Sequence, residues 1–367
     1  MKVVIINEHP QDFLGGSEIQ SDIIARKLQK FGHQVVYLAC NGKGNYNTPY
    51  QVIAIKISAN IIAQTTINEK PDIVYWRNNK KNGFRKAVKK IRKNGIPVVF
   101  AVSSLGDTLK WLGFSIRPVW NLNLQSLFRS LLKNLVSIHQ YGGYKWVDGI
   151  TVNNETHLND IPMTKQIYVP NSNEVDAVNF EWNKRYIVWV ANIKETKQPE
   201  LCVKLAENLI GSYLDIIMIG NIGSNKYRYF ENPDKLPKNL YYLGPKSVEE
   251  TNGIIQKSIC LIHTCKPEGF PGNFIQAWLQ GKPVVSYEYD PGGLIESEKL
   301  GFVSGKNMDQ FIADIKKLID NPALNQEIGE RAKVYADKHF HPETNVRKLE
   351  NFFFDVLENK EAANEAT

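Results

Sequence analysis

RYIVWVANIKETKQPELCVKLAENLIGSYLDIIMIG, residues 185–220, holds one full structural period of the chain. YIVWV is apolar at every position, as a strand buried on both faces of a sheet must be. The polar run ANIKETK ends it. Pro199 then stands where a helix can begin, because its fixed φ suits a first turn, and Leu201, Leu205 and Leu209 follow at helical spacing. LDIIMIG is the next continuous apolar run. A strand, an amphipathic helix and a second buried strand imply parallel pairing with the helix laid across one face.

The same period extends in both directions. VVIIN (3–7) leads through a Gly-Gly turn into a helix with Ile19, Ile23, Ile24, Leu28 and Phe31 on one face. Gly32 stops that helix and QVVYLA follows. DIVYWR, the basic helix NGFRKAVKKIRKNG, PVVFAV, GITV and QIYVP continue the alternation. After a polar stretch at 171–184, a linker candidate, the pattern restarts and runs through LYYLG, CLIHT and PVVSYEY. A last helix over about 343–358 carries Val346, Leu349, Phe352, Phe353 and Val356. The expected fold class is α/β: two doubly wound Rossmann-like domains facing a cleft, with ligands at the carboxyl ends of the strands. The expected limits are 1–175, 176–342 and a terminal segment at 343–367.

Composition narrows the function classes. The chain has 367 residues, 43% of them hydrophobic and 23% charged, which suits a globular protein with sizeable cores. VVII is too short for a signal-peptide core, and no run of eighteen apolar residues occurs, so neither export nor membrane insertion is expected. The four cysteines lie apart without a CxxC pair, as reduced thiols in the cytoplasm would. The net charge of +7 is concentrated: from Arg77 to Lys145 there are fourteen Lys or Arg and one acid, Asp107. A solvated helix face accounts for part of this; attraction to an anionic membrane surface or a phosphate-bearing substrate is the alternative. The apolar and basic stretch 111–136 suits either an interfacial helix or core packing. No recognised nucleic-acid motif accompanies the charge.

Three loops fall at expected carboxyl ends. In FLGGSE, Gly15 and Gly16 permit close backbone approach, and the helix opened by Ser17 or Glu18 offers free N–H groups to a phosphate. A plain turn with a Ser cap is the structural alternative. In VANIKETKQPE, Lys194 and Lys197 could neutralise a diphosphate as point charges, or be ordinary loop lysines. In KPEGFPGNFIQAW (266–278), Asn273 and Gln276 have capping-box spacing. That box leaves Glu268 unexplained. An acid in a Gly-Pro-Gly bend beside a helix N-terminus can accept hydrogen bonds from sugar hydroxyls, near the amides of Phe270, Gly272 and Asn273.

Together these loops resemble a retaining glycosyltransferase of the GT-B fold, family 4 (group 1). The resemblance spans nearly the whole chain. It is most specific from LGPKSVEE through HTCKPEGFPGNFIQAWLQGKPVV, DPGGLIES and LGFVSG, and looser through FLGGSE, FGHQV, DGITVNN and VPNSNEVD. The terminal HFHPETNVRKLENFFFDVL resembles the family's helix that crosses back onto the first domain. The resemblance assigns the family's Glu-x7-Glu motif to Glu268, beside the donor sugar, and Gln276, beside the ribose. Gly269, Phe270, Pro271, Gly272 and Asn273 would supply amides to the sugar and phosphates. The Arg-x4-Lys pair falls on Asn192 and Lys197, and Gly15, Gly16, Gly220 and Pro245 join the donor-binding set.

Three positions depart from the family pattern: Gln276 replaces Glu, Asn192 replaces Arg, and the usual histidine is missing from FAVSSLGDTLKW. Ser103, Ser104 or Asp107 would take over that contact, with Asp107 the catalytic candidate beside Glu268. The implied reaction moves a hexosyl unit with retention from a UDP- or GDP-linked sugar to a glycan or polyprenyl-diphosphate-linked glycan. Cell-surface polysaccharide or lipopolysaccharide biosynthesis would be the setting, in the cytoplasm and peripheral to the inner face of the plasma membrane. No metal and no cofactor beyond the donor are expected, and no nucleic acid. A nucleotide-sugar 2-epimerase of similar fold and a non-catalytic sugar-binding module are the alternatives.

Overall fold

The computed structural model describes residues 1–13, 15–77, 83–103, 107, 141–158, 160–161, 165–267 and 270–365, the last six as backbone only. The basic and apolar stretch 111–136, Ser104, Glu268 and Gly269 therefore lie outside the described residues. The chain divides into two compact units: residues 1–171 with 342–367, and residues 172–341.

Unit 1 is a seven-stranded parallel sheet. β1 (Lys2–Asn7), β2 (Gln34–Cys40), β3 (Gln51–Ile55), β4 (Ile73–Trp76), β5 (Val98–Val102), β6 (Gly149–Val152) and β7 (Gln166–Tyr168) lie in the order β3-β2-β1-β4-β5-β6-β7. One face is covered by α2 (Ala59–Glu69) and α3 (Phe84–Lys93), with Phe84, Val88 and Ile91 buried against Trp76 and Phe100. The basic residues of α3 lie off that apolar stripe, which is the amphipathic arrangement its sequence dictates. The other face is covered by α1 (Gly16–Lys30) and by the long C-terminal helix, described below.

Unit 2 repeats the plan. β8 (Arg185–Val190), β9 (Leu214–Ile219), β10 (Leu240–Tyr242), β11 (Leu261–His263), β12 (Val284–Ser286) and β13 (Gly301–Val303) form a parallel sheet ordered β10-β9-β8-β11-β12-β13. Its helices are α4 (Glu200–Asn208), α5 (Val248–Lys257), α6 (Gly272–Leu279), α7 (Leu294–Ser297), α8 (Met308–Asp320) and α9 (Pro322–His339). The chain then returns to unit 1 as α10 (Pro342–Glu365), longer than the sequence pattern indicated. Both sheets reverse their winding direction beside the first strand, between β1 and β4 and between β8 and β11. At such a switch point the loops leave in opposite directions and open a crevice at the carboxyl ends. Among the described residues no helix is long and apolar enough to cross a membrane.

Candidate functional site

In unit 2 the loops after β8 and β11 are tied together over the switch point. Thr264, just past β11 and fully buried, accepts a hydrogen bond from Trp189 Nε1 (2.9 Å) and donates to the Lys197 carbonyl (2.7 Å). Lys266 N donates to Thr196 O (3.0 Å), so the two loops form one rim. Lys197 is half-buried in the short helical turn Glu195–Lys197, and Lys194 is exposed at its start. Asn192 carries no charge, and its Oδ1 accepts from both the backbone and the side-chain nitrogen of Asn221 (3.4 Å each). A neutral amide held in this way steadies the neighbouring loop; the cationic part of the rim is the lysine pair.

α6 enters the same rim, but not as its sequence suggested. Pro271 is the N-cap and contributes no side-chain hydrogen bond. Asn273 lies inside the first turn, where its Nδ2 donates to Val190 O at the end of β8 (2.8 Å). Gln276 does not reach back to close a capping box; its Nε2 donates to Asn252 Oδ1 on α5 (3.1 Å). The capping-box reading fails because both amides find partners on neighbouring elements. With Pro271 offering no cap, the first amides of α6 receive no side-chain acceptor. Asn273 Oδ1 is enclosed without a partner among the described residues. Phe270 is buried against Trp278 and Phe340, which anchors the base of the bend.

The β9 side of the rim depends on Gly220. Its φ is +145°, and a Cβ there would sit 1.9 Å from the Ala191 carbonyl oxygen, so only glycine lets β9 end against β8. The Gly220 carbonyl accepts from Tyr242 OH (2.7 Å). Beyond it lies a cavity of about 480 Å3 whose lining includes Asn221, Gly223, Arg228, Tyr242 and Pro245. The structure thus gathers Asn192, Lys197, Gly220, Phe270, Pro271, Gly272, Asn273 and, through the 480 Å3 cavity, Pro245 at one edge of the unit 2 sheet.

Unit 1 builds its own polar rim at the β1/β4 switch point. Asn7 ends β1, and its Nδ2 donates to Ser17 O (3.1 Å) and Ser21 Oγ (2.8 Å), fixing the start of α1. Ser17 Oγ in turn donates to the Arg77 carbonyl beyond β4 (3.4 Å). Gly15 is the N-cap, and a Cβ on it would lie 2.3 Å from Glu18 Oε2, so this glycine makes room for the Glu18 carboxyl. Gly16 has open space where a Cβ would project, leaving that backbone accessible. Glu18 is a functional candidate that the sequence marks only as a possible helix opener. Burial raises its carboxyl to about 7; a hydrogen bond from its own amide and the Arg77 guanidinium oppose that, while the Glu8 charge adds to it. Arg77 is buried and donates to Asn171 Oδ1 (2.7 Å); its Nε is enclosed without a partner among the described residues, as is Asn153 Oδ1 after β6. Asp107, buried near the end of β5, accepts from Ser103 N (3.1 Å), and its carbonyl accepts from Tyr144 OH (2.7 Å). Ser17 and Arg77, 60 positions apart, and Arg77 and Asn171, 94 apart, meet here only because the sheet is parallel, which no local motif announces.

Comparison with known proteins agrees with this geometry. Residues 172–335 match the family described as glycosyl transferases group 1. The matched segment falls within unit 2. Across the whole chain the solved structures it resembles share the GT-B fold. HepE of Anabaena in complex with UDP-glucose superposes with a TM-score of 0.73 at 14% identity, over 97% of this chain and 100% of that one. The sucrose-phosphate synthase of Thermosynechococcus elongatus gives 0.75 at 12% identity, over 98% and 100%. WaaG, a glycosyltransferase involved in lipopolysaccharide biosynthesis, gives 0.67 at 14% identity, over 94% and 98%. No curated protein sequence matches the chain.

Proposed function

We propose that the protein is a retaining glycosyltransferase that moves a hexosyl unit from a nucleotide diphosphate sugar to a glycan hydroxyl. The observation that carries this reading is the group 1 match over the segment whose loops converge at the β8/β11 switch point. HepE binds UDP and UDP-glucose in the structures it resembles, which favours UDP as the nucleotide. The donor diphosphate would lie against Lys197 and Lys194 and the uncapped amides at the start of α6, with Asn273 Oδ1 left to accept a hydroxyl. Asn192 brings no charge, so stabilising the departing diphosphate would fall to the lysines and the amides. The bond from the anomeric carbon to the diphosphate oxygen breaks and the bond to the acceptor oxygen forms on the same face. The acceptor proton passes to a phosphate oxygen. By the family resemblance, Glu268 would contact the donor sugar.

The unit 1 rim offers Glu18, Arg77, Asn153 and Asp107 as hydroxyl partners for a glycan or polyprenyl-diphosphate-linked acceptor. Surface-polysaccharide assembly in the cytoplasm, at the inner face of the plasma membrane, is the setting this chemistry suits. The test is incubation with a panel of UDP- and GDP-sugars, following release of the nucleoside diphosphate. Glu268→Ala should abolish release, and Lys197→Met should lower kcat roughly 100-fold or more, both with native circular dichroism. Near-normal release by both variants would overturn the assignment. An isomerised donor would indicate an epimerase instead.

A further inference from the structure

Unit 2 has a second cavity, of about 360 Å3 and lined by both polar and apolar groups, at the opposite end of its sheet. Arg185 is the first residue of β8, and Lys282 precedes β12 by two positions, so both mark amino ends of strands. The donor loops leave from the carboxyl ends, about 20 Å away along a six-residue strand. Another wall is α9, which contributes Asn325, Gln326, Glu330 and Lys333 along its first twelve residues, beside the apolar Ile259 and Leu318. Asn325 Nδ2 donates to Ile259 O (2.9 Å), which fixes the N-terminus of this 18-residue helix beside the strand ends.

Lys282 is the unusual member. It is half-buried, yet no carboxylate pairs with it among the described residues; its electrostatic neighbours are the Cys260 thiol and the Lys257 ammonium. Burial lowers its pKa, Lys257 adds to that, and Cys260 opposes it. A desolvated ammonium without a counter-ion is unfavourable unless a ligand supplies the opposite charge. Arg185 has one bond to the Ile319 carbonyl (2.8 Å), which steadies an otherwise exposed guanidinium. Lys333 already meets Asp337 (3.2 Å), and Glu330 is the one carboxylate in the lining, so Lys282 and Arg185 carry the excess positive charge.

We infer that this cavity binds a phosphate group, either as a free anion or as the headgroup of an acidic lipid, with Lys282 as its inner contact and Arg185 at its mouth. The dipole of α9 favours the same charge. The site stands apart from the donor loops and does not depend on the glycosyltransferase reading.

Lys282 itself provides the readout. The full-length protein is acetylated with an amine-reactive ester, and the labelling rate of the Lys282 peptide is followed by mass spectrometry. Saturating inorganic phosphate, against chloride at equal ionic strength, should slow that rate about tenfold, as occupancy by mass action requires. Arg185→Gln, at an exposed position that leaves the core intact, should remove most of the protection. Phosphatidylglycerol vesicles replace phosphate in a second arm, with phosphatidylcholine vesicles as the blank. Protection by the anionic vesicles beyond that of phosphate alone assigns the site to a headgroup; protection by phosphate alone assigns it to a free anion. A Lys282 rate indifferent to both, or protection unchanged in Arg185→Gln, overturns the proposal.

Discussion

At the scale of single residues, Glu18 is the most informative side chain in the structure. It is 7% exposed and lies over Gly15, in the first turn of α1, where its own amide and the Arg77 guanidinium only partly offset the loss of solvent. Its carboxyl is raised from 4.5 to about 7, so between those values the folded protein binds a proton that the unfolded chain releases. Stability must therefore fall as pH rises from about 4.5 to 7, and level off above that. The drop attributable to Glu18 is on the order of 3 kcal/mol. Glu18→Gln keeps the shape and the hydrogen bonds but cannot ionise. The variant should match wild type in urea midpoint at pH 5 and exceed it at pH 8. An unchanged difference between the two proteins across that range would mean that Glu18 is ionised in its pocket.

At the scale of elements, the legible parts were those whose pattern has one physical cause. β1, β5, β8 and β9 are buried on both faces, and their unbroken apolar runs say so. β3 and α2 are not legible in the sequence pattern. β3 is an edge strand whose positions are mostly exposed or half-exposed, so its composition is mixed. α2 is rich in Ile and Thr, which favour strands as readily as helices, and its apolar residues do not form a clean stripe. The unit 2 loops were legible because glycine, proline and lysine cluster locally; the unit 1 rim was not, because Asn7, Ser17, Arg77 and Asn171 meet only through the sheet. Gln276 shows the limit of spacing rules most clearly, since it joins α6 to α5 instead of capping α6. Asn252 cannot turn its amide to suit a new neighbour, because its Nδ2 is held by the Glu174 and Asp176 carbonyls (3.0 and 2.8 Å). A carboxylate at 276 would face Asn252 Oδ1 with no proton to offer. Gln276→Glu should thus destabilise unit 2 by about 1–3 kcal/mol at pH 7. Acid should return much of the loss, because the introduced carboxyl can donate again once it is protonated; denaturant midpoints at pH 7 and pH 4 report both effects. A variant as stable as wild type at pH 7 would show that the α5–α6 hydrogen bond is dispensable.

At the scale of the whole molecule, the chain leaves unit 1 at residue 171 and returns to it at 342, so unit 1 is not complete until the last helix has been made. Val346, Leu349, Phe352, Phe353 and Val356 of α10 are buried in the same cluster as Val3, Ile5, Leu28 and Tyr75. Phe352 packs so closely on the sheet that a Cβ at Gly149 would lie 2.8 Å from its ring. A polar clasp accompanies the apolar contact. Glu350 accepts from His33 Nε2 (2.5 Å) and from Arg347 Nη1 (2.8 Å), and the Arg347 guanidinium lies 3.5 Å from the centre of the Phe31 ring. Burial alone would raise the Glu350 carboxyl; the bonds from Arg347 and His33 outweigh it and hold the group below its usual value. Five buried side chains at ~1.5–3 kcal/mol each amount to roughly 10 kcal/mol, about the whole stability of an ordinary domain. Ending the chain after His341 should therefore unfold unit 1 and leave unit 2 folded, since α9 and every strand of its sheet lie before that point. Hydrogen exchange of the truncated protein should show fast exchange throughout β1, β2 and β4 and native protection in β8, β9 and β11. Native protection in both sheets would mean that α10 adds little to unit 1 and that the apolar area it covers is stable when exposed.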